Sequence, residues 1–267
     1  MLSRFIGILL FLIVLVTVVK LGLSLEPKNV TQNPANSVVA IKNDEAVKGA
    51  NATEGIDYIT TNNSTNSRLK YYYYIPNKLL NNTAYSFPVM VVVPGLSGDG
   101  QVFTSDIFKD FAEKEGFAII SPTFVFDEND FNHEESYQYP AAWSGDALIA
   151  MINNLPGKGI NPEKLYLFGF SAGAQFSLRF TLLHPDLVKA CASHGNGARI
   201  IPNMQNTVNY FITVGTSDDP YRIDNARIFY NEAKELNMMA LYKEYNIGHE
   251  ISTDQINDSL EFFRQSK

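Results

Sequence analysis

KLYLFGFSAG, at residues 164–173, joins a short apolar run to the pattern Gly-x-Ser-x-Gly. The apolar run, Leu165 to Phe168, predicts a buried strand, and the helix-like AQFSLRFTLLH follows the pattern directly. A serine at such a strand–turn–helix junction has a strained backbone that lifts its hydroxyl clear of the sheet, and the two glycines let strand and helix approach closely. The sequence therefore predicts Ser171 as a nucleophile. An ordinary glycine-bracketed turn is the alternative.

On both sides of this turn, apolar strand candidates alternate with helical segments. The predicted strands are Lys70–Ile75, Pro88–Gly95, Phe117–Ser121, Leu165–Phe168, Leu187–Ser193, Asn209–Val214 and Ala240–Asn246, and the helices are Gln101–Glu115, Ala141–Leu155, the segment after Ser171, Ile223–Leu236 and Ile256–Phe263. Such alternation is typical of an α/β fold with a mostly parallel central sheet flanked by helices. Ligands of these folds bind at the carboxyl ends of the strands.

The tyrosine-rich segment KYYYYI, Lys70–Ile75, is closed by Pro76. It predicts a half-buried edge strand, because aromatic residues favour strands and proline is tolerated at sheet edges. A substrate-facing aromatic patch is the alternative for the same segment.

A serine hydroxyl needs an adjacent base to become a nucleophile at neutral pH, and this base is usually a histidine oriented by a carboxylate. Of the four histidines, His249 follows a predicted strand on a short glycine turn and is placed at the start of the last helix, so it is the predicted base. His133 lies in an acidic loop, and such a loop is expected to be part of the solvated surface. His184 ends the helix after the serine and is expected to cap it. His194 also follows a strand and could line the site.

The segment ITVGTSDDP places Asp218 and Asp219 directly after a strand. Asp218 is the preferred acid because it comes three residues after Gly215, as in the usual turn at a strand end. Asp219 precedes Pro220, so it is either the alternative acid or the start of the next helix. The resulting chain order, serine then aspartate then histidine, is the order that this type of serine turn uses.

Ser171 in GFSAG, Asp218 in VGTSD and His249 in GHEIS together resemble the α/β-hydrolase superfamily, in particular its compact members similar to dienelactone hydrolase, polyhydroxybutyrate depolymerase and feruloyl esterase. The resemblance covers the chain from Lys70 to the C-terminus. It implies an eight-stranded type of sheet and acyl-enzyme chemistry at Ser171.

The resemblance also implies an oxyanion hole, with the amides of Leu96 and Ala172 as donors. Leu96 lies in PGLSGDG, the loop after the predicted VVV strand, where Pro94 stands in place of the histidine that is usual in the family. An ordinary glycine turn is the alternative for this loop. The segment between the strand after the helix and the strand before the acid, His194–Val208, is too short for an inserted lid domain, so we expect an open pocket.

The N-terminal quarter of the chain has a different composition. Residues 1–25 contain the strongly apolar run Phe5–Val19 behind Arg4, which predicts a hydrophobic helix acting as a membrane anchor or, alternatively, a cleaved signal segment. Residues 26–67 are rich in Asn, Ser and Thr and predict a flexible linker. Residues 68–267 then form the hydrolase domain, expected outside the cell membrane or secreted.

The composition and motifs of the chain exclude several classes of ligand and partner. The formal net charge is -7 and the basic residues form no run, so we expect no nucleic-acid partner. The sequence shows no zinc-ligand spacing, phosphate loop or dinucleotide fingerprint, so we expect no cofactor and no metal. The single cysteine, Cys191, excludes an intramolecular disulfide.

Taken together, these features predict a serine hydrolase that cleaves small-molecule or polymeric carboxylic esters. A serine peptidase on the same fold is one alternative, because the same three side chains cleave amides. A non-catalytic surface-binding domain is an alternative of a different class.

Overall fold

Nine strands form one sheet in the computed structural model, which describes residues 39–48, 52–63, 66–80, 85–96, 98–103, 105–125 and 136–267. The strands are β1 (Val39–Lys48), β2 (Ala52–Thr60), β3 (Arg68–Pro76), β4 (Ser86–Val93), β5 (Ala118–Pro122), β6 (Asn161–Phe170), β7 (Val188–His194), β8 (Asn209–Gly215) and β9 (Met239–Tyr245). Their order in the sheet is β1-β2-β3-β5-β4-β6-β7-β8-β9. Strands β4 to β9 pair in parallel, which confirms the predicted mostly parallel sheet.

Helices cover both faces of this sheet. Within the described part of the chain the α-helices are α1 (Asp106–Glu115), α2 (Ser144–Asn153), α3 (Ala172–Leu183), α4 (Pro220–Glu235) and α5 (Thr253–Ser266). Apolar side chains of α2, α3 and α4 belong to one buried cluster, and those of α1 and α5 belong to another. Alternate residues of β4 supply the two clusters, since Val91 packs in the first and Val92 in the second. A strand buried on both faces explains why the run VMVVV shows no polar alternation.

The predicted flexible linker, residues 26–67, is wrong over much of its length. It contains β1 and β2, which pair antiparallel with each other, and β2 pairs with the whole of β3. The predicted domain start at residue 68 is therefore too late. The composition of β2 did not indicate a buried strand, because one of its buried positions is the charged residue Asp57. The Asp57 carboxylate is paired with the Lys158 ammonium at 3.0 Å. Residues 1–25, predicted as a hydrophobic helix, lie outside the described residues.

The tyrosine-rich strand β3 is an interior strand, so its prediction as a half-buried edge strand is wrong. It lies between β2 and β5, and all four tyrosines from Tyr71 to Tyr74 are buried. Tyr71 and Tyr73 pack on one face of the sheet, whereas Tyr74 packs on the other. Burial also excludes the alternative of a substrate-facing patch. The cause is the pair of strands β1 and β2, which extends the sheet beyond β3.

The connection between β7 and β8, residues 195–208, contains neither helix nor strand, so no lid domain is inserted there. None of the helices in the described ranges combines the length and the apolar character that a membrane span requires.

Candidate active site

Ser171 occupies the turn between β6 and α3 with φ 55° and ψ -115°, in the left-handed region that a non-glycine residue rarely adopts. The two glycines of the motif are required by close contacts. A Cβ atom at Gly169 would lie 2.4 Å from the Gly173 carbonyl oxygen, and one at Gly173 would lie 2.2 Å from that of Val93. The predicted strained turn is therefore confirmed, and it fixes the hydroxyl at the carboxyl edge of the sheet.

His249 lies in the turn between β9 and α5 and links two of the predicted side chains. Its Nε2 is 2.8 Å from the Ser171 Oγ, and its Nδ1 is 2.9 Å from an oxygen of Asp218. With the proton on Nδ1, the imidazole donates to the carboxylate and accepts from the serine hydroxyl. The expectation that His249 begins the last helix is wrong, because that helix begins at Thr253 after the Ser252 capping box.

The two neighbouring aspartates have different environments. The Asp218 side chain is only 1% exposed and directs Oδ2 to His249, while its Oδ1 accepts the Asp219 amide at 2.7 Å. The Asp219 side chain is exposed, and this residue is the N-cap position of α4. The structure thus brings Asp218, and not Asp219, together with His249 and Ser171. Asp219 takes the helix-start position, which was its predicted alternative role.

The imidazole of His249 is packed on two sides and open on another. The Phe170 ring stacks on it, with centroids 5.0 Å apart and planes inclined by 28°. Gly195 backs it with φ 62°, and a Cβ atom there would lie 3.2 Å from both Nδ1 and Cε1. The side chain nevertheless remains 33% exposed, so a substrate can reach the serine from solvent.

The two predicted oxyanion donors lie on segments that adjoin Ser171. Ala172 is the first residue of α3, where a backbone amide has no acceptor within the helix. Leu96 lies in the turn after β4, and this turn approaches the serine closely, because a Cβ atom at Gly95 would lie 3.3 Å from the Ser171 Cβ. The oxyanion hole itself stays a prediction.

The family model of the alpha/beta hydrolase fold matches residues 88–229, more than half of the chain. The chain belongs to the alpha/beta hydrolase family. No curated protein matches it.

Esterases are among the solved structures similar to this alpha/beta hydrolase. A ferulic acid esterase has a TM-score of 0.64 at 14% identity, with 81% of this chain and 98% of that chain covered. A cold-adapted esterase from an Arctic intertidal metagenomic library also has a TM-score of 0.64, at 11% identity, over 84% and 98%. The S-formylglutathione hydrolase of Agrobacterium tumefaciens has a TM-score of 0.59 at 12% identity, over 85% and 98%. At these identities the likeness shows the fold alone.

Asp99 anchors the loop after β4 in this alpha/beta hydrolase, and sequence reasoning missed it. Its carboxylate accepts from the Lys70 ammonium at 3.0 Å, from the Gln101 amide at 3.0 Å and from the Thr123 hydroxyl at 3.2 Å. Burial raises the pKa of Asp99, but the Gln101 amide and Lys70 outweigh burial and hold this pKa below its ordinary value. The signal in the sequence was an aspartate inside the glycine-rich turn GDG, residues 98–100. In such turns the aspartate side chain commonly accepts a hydrogen bond from the backbone amide two residues later.

Of the other histidines, the two in the described residues, His184 and His194, do not reach Ser171 through their side chains. His194 is fully buried, with Nδ1 2.6 Å from the Thr213 hydroxyl and Nε2 3.1 Å from the Ser259 hydroxyl, so the expectation that it could line the site is wrong. Burial lowers its pKa to about 3. His184 is the C-cap of α3, as predicted, and burial lowers its pKa as well. His133 lies outside the described residues.

The arrangement combines a hydroxyl, an imidazole and a buried carboxylate in one hydrogen-bonded chain at the carboxyl edge of the sheet. These are the parts of nucleophilic attack assisted by a general base. In the portion of the chain that the structure describes, no group of three or more His, Cys, Asp or Glu side chains is placed to hold a metal ion.

Proposed function

We propose that this alpha/beta hydrolase cleaves carboxylic esters through an acyl-enzyme on Ser171. The observation that carries the proposal is the position of His249, within hydrogen-bonding distance of both the Ser171 hydroxyl and the Asp218 carboxylate. The strained backbone of Ser171 adds support, because strain at such a turn is a feature of nucleophilic serines.

In the proposed reaction the Ser171 Oγ attacks the ester carbonyl carbon while His249 Nε2 takes the hydroxyl proton. The negative charge of the tetrahedral intermediate falls on the former carbonyl oxygen, which the amides of Leu96 and Ala172 stabilise. The intermediate collapses, and the leaving alcohol takes the proton from His249. A water molecule then attacks the acyl-enzyme with His249 again as the base, releasing the carboxylic acid and restoring the serine.

Asp218 has a separate role in this proposal. It remains ionised, holds the proton on Nδ1 of His249 and stabilises the imidazolium that forms when Nε2 accepts the serine proton. Its near-complete burial strengthens this interaction, because little water screens the carboxylate.

An ester substrate is favoured over a peptide by the structural neighbours named above as esterases, although amide cleavage uses the same machinery. The open β7–β8 connection is compatible with either a small-molecule or a polymeric ester. A serine peptidase therefore remains the nearest alternative, and the experiment includes it.

The test is labelling of the purified protein with a fluorophosphonate probe, followed by hydrolysis of acyl esters of graded chain length and of a peptide panel. We expect labelling in the wild type, no labelling in Ser171→Ala and a loss of ester turnover of about 10⁶-fold in that variant. Ser217→Ala is the matched control, because this exposed serine lies beside Asp218 but outside the hydrogen-bonded chain. Absence of wild-type labelling would refute the enzyme proposal, and efficient peptide cleavage with poor ester cleavage would favour the peptidase.

We also propose that the catalytic domain is held outside the cytoplasm by an N-terminal membrane anchor, with secretion after cleavage as the alternative. The support is the apolar run Phe5–Val19 in the sequence. Membrane fractionation of the full chain tests it: recovery of the protein in the membrane fraction, accessible to protease from outside, supports the anchor. A soluble product that begins after residue 25 would support cleavage.

A further inference from the structure

Arg222, in the first turn of α4, lies between two groups that pack against His249. Its Nε is 3.6 Å from the Asp218 Oδ1, and its Nη1 donates a hydrogen bond to the Gly195 carbonyl oxygen at 2.9 Å. The side chain is only 15% exposed, so solvent screens these interactions weakly. One guanidinium thus joins the proposed acid to the backbone behind the imidazole.

Gly195 is the second of these two groups, and its position determines the space available to the imidazole. A Cβ atom there would lie 3.2 Å from His249 Nδ1 and 3.4 Å from Asp218 Oδ2, so this backbone lies beside both partners of that hydrogen bond with little room for a side chain between them. The residue adopts φ 62° and is held by its amide, which donates to the Thr213 carbonyl at 2.9 Å. Movement of this backbone would change the orientation of the ring.

The loop after Gly195 is built to accommodate the guanidinium. A Cβ atom at Gly197 would lie 2.5 Å from Arg222 Nη1, so a larger residue at this position would displace the guanidinium from its place beside Gly195. Asn225, one turn further along α4, donates to the Gly197 carbonyl oxygen at 3.4 Å. The first turns of α4 therefore hold this loop at two carbonyl groups.

We propose that Arg222 is a positioning residue for the proposed ester hydrolysis, holding the Asp218 carboxylate and the Gly195 backbone together so that His249 stays aligned with Ser171. The inference rests on the proposed function for its kinetic consequence only. Lysine is a poor substitute, because one ammonium lacks the planar fork that serves a carboxylate and a carbonyl at once.

The charge of Arg222 gives this role a signature that a purely structural arginine lacks. A positive charge near the imidazole disfavours its protonation, so removal of that charge should move the acid limb of the pH profile to higher pH. The ionisable side chains on the segments packed against His249 include Asp218, Asp219, Arg222, His194, Arg199, Glu250 and Asp254. Of these, Arg222 is the cation that lies beside the carboxylate bonded to the ring.

The experiment compares Arg222→Met, Arg222→Gln and Arg222→Lys with the wild type by the pH profile of kcat/KM for a short acyl ester and by NMR titration of the His249 imidazole. For Met and Gln we expect kcat/KM to fall about tenfold and the acid limb to move about 0.5 to 1 pH unit higher. Lys should keep the acid limb near that of the wild type while kcat/KM remains lowered. Gln also keeps a donor for the Gly195 carbonyl, so the Arg222→Gln variant tests the loss of charge even if the Met variant fails to fold.

Arg227→Met is the control, because Arg227 lies on the same helix and carries the same charge but pairs with Glu244 at the surface. Its pH profile should match that of the wild type. A lowered melting temperature in the Arg222 variants, with an unchanged acid limb and unchanged kcat/KM, would overturn the inference. The NMR titration does not depend on turnover, so it tests the inference even if the wild type hydrolyses no ester, a result that would refute the proposed function instead.

Discussion

His249 and His194 each bridge two side chains at the carboxyl edge of the sheet, yet their surroundings differ. His249 joins a serine to an aspartate, and its side chain is 33% exposed. His194 joins two hydroxyl groups, those of Thr213 and Ser259, and is 0% exposed. The two are structural neighbours, because Gly195 follows His194 directly and a Cβ atom at Gly195 would lie 3.2 Å from the ring of His249.

The difference shows which features make a histidine suitable as a base. Burial without a carboxylate lowers the pKa of His194 to about 3, so this ring stays neutral and serves as a hydrogen-bonded core residue. His249 has a carboxylate on one nitrogen, a hydroxyl on the other and solvent beside it. A hydrogen bond to a hydroxyl is common to both sites, so only the carboxylate and the access distinguish them.

The sharpest test of the carboxylate is Asp218→Asn compared with Asp219→Asn. We expect the first to lower kcat by about 10⁴-fold, because an amide does not hold the imidazole in the required tautomer. The second keeps a favoured N-cap residue at a position whose side chain makes no capping hydrogen bond, so stability and turnover should both be largely kept. Steady-state kinetics and thermal melts of both variants measure this. Equal losses of turnover would contradict the assignment of Asp218 as the acid.

His194→Ala tests the structural side of the comparison. It removes hydrogen bonds to Thr213 and Ser259 and a ring contact with Phe168 at 4.5 Å, so we expect a loss of about 3 kcal/mol in the free energy of unfolding. The value of kcat, measured below the melting transition, should change little. A large fall in kcat without a loss of stability would show that His194 takes part in the reaction.

Much of the parallel half of the molecule followed from the sequence, for identifiable reasons. Buried strands such as β4 and β8 are continuous apolar runs that helical periodicity does not fit, and the glycine-bracketed Ser171 has few structural uses other than a strained turn. The order of Ser171, Asp218 and His249 along the chain then led to three side chains that the structure brings together.

Features that depend on distant pairing could not be predicted in this way. Strand β2 can bury the charged Asp57 because Lys158, far along the chain, pairs with it. No local pattern in the sequence reveals such a partner. The interior position of β3 depends on β2 in turn. His194 and His249 both follow strands, so sequence alone could not tell which ring is buried. Arg222 and Asp99 act through partners that only the folded chain brings close.

Gly195→Ala tests whether the backbone behind His249 sets its orientation. Alanine at φ 62° costs about 1 to 2 kcal/mol, and its Cβ would press on the imidazole at 3.2 Å, so we expect kcat/KM to fall about tenfold. Gly116→Ala is the matched control, since φ is 75° there but the nearest atom to an added Cβ is 3.7 Å away, at the end of α1. Both variants should lose similar stability, and only Gly195→Ala should lose activity. Similar activity in the two would contradict this role of Gly195.

The smallest expected effect concerns pH and again separates the two histidines. The pKa of His194 is about 3 in the folded protein and about 6.5 when the chain is unfolded, so the unfolded state binds more protons between these values. Its contribution to stability is fully present above about pH 6.5 and is lost as the pH falls, with a slope approaching about 1.4 kcal/mol per pH unit.

Urea unfolding of the wild type and of His194→Asn between about pH 7.5 and pH 5 isolates this slope, because carboxylates titrate mainly below that range. The difference in the free energy of unfolding between the two proteins should shrink as the pH falls. His184, whose pKa burial also lowers, contributes a slope of the same sign in both proteins and cancels in the difference. Parallel curves would mean that His194 takes up a proton in the folded state, and the contrast between a buried neutral ring and an accessible base would then fail.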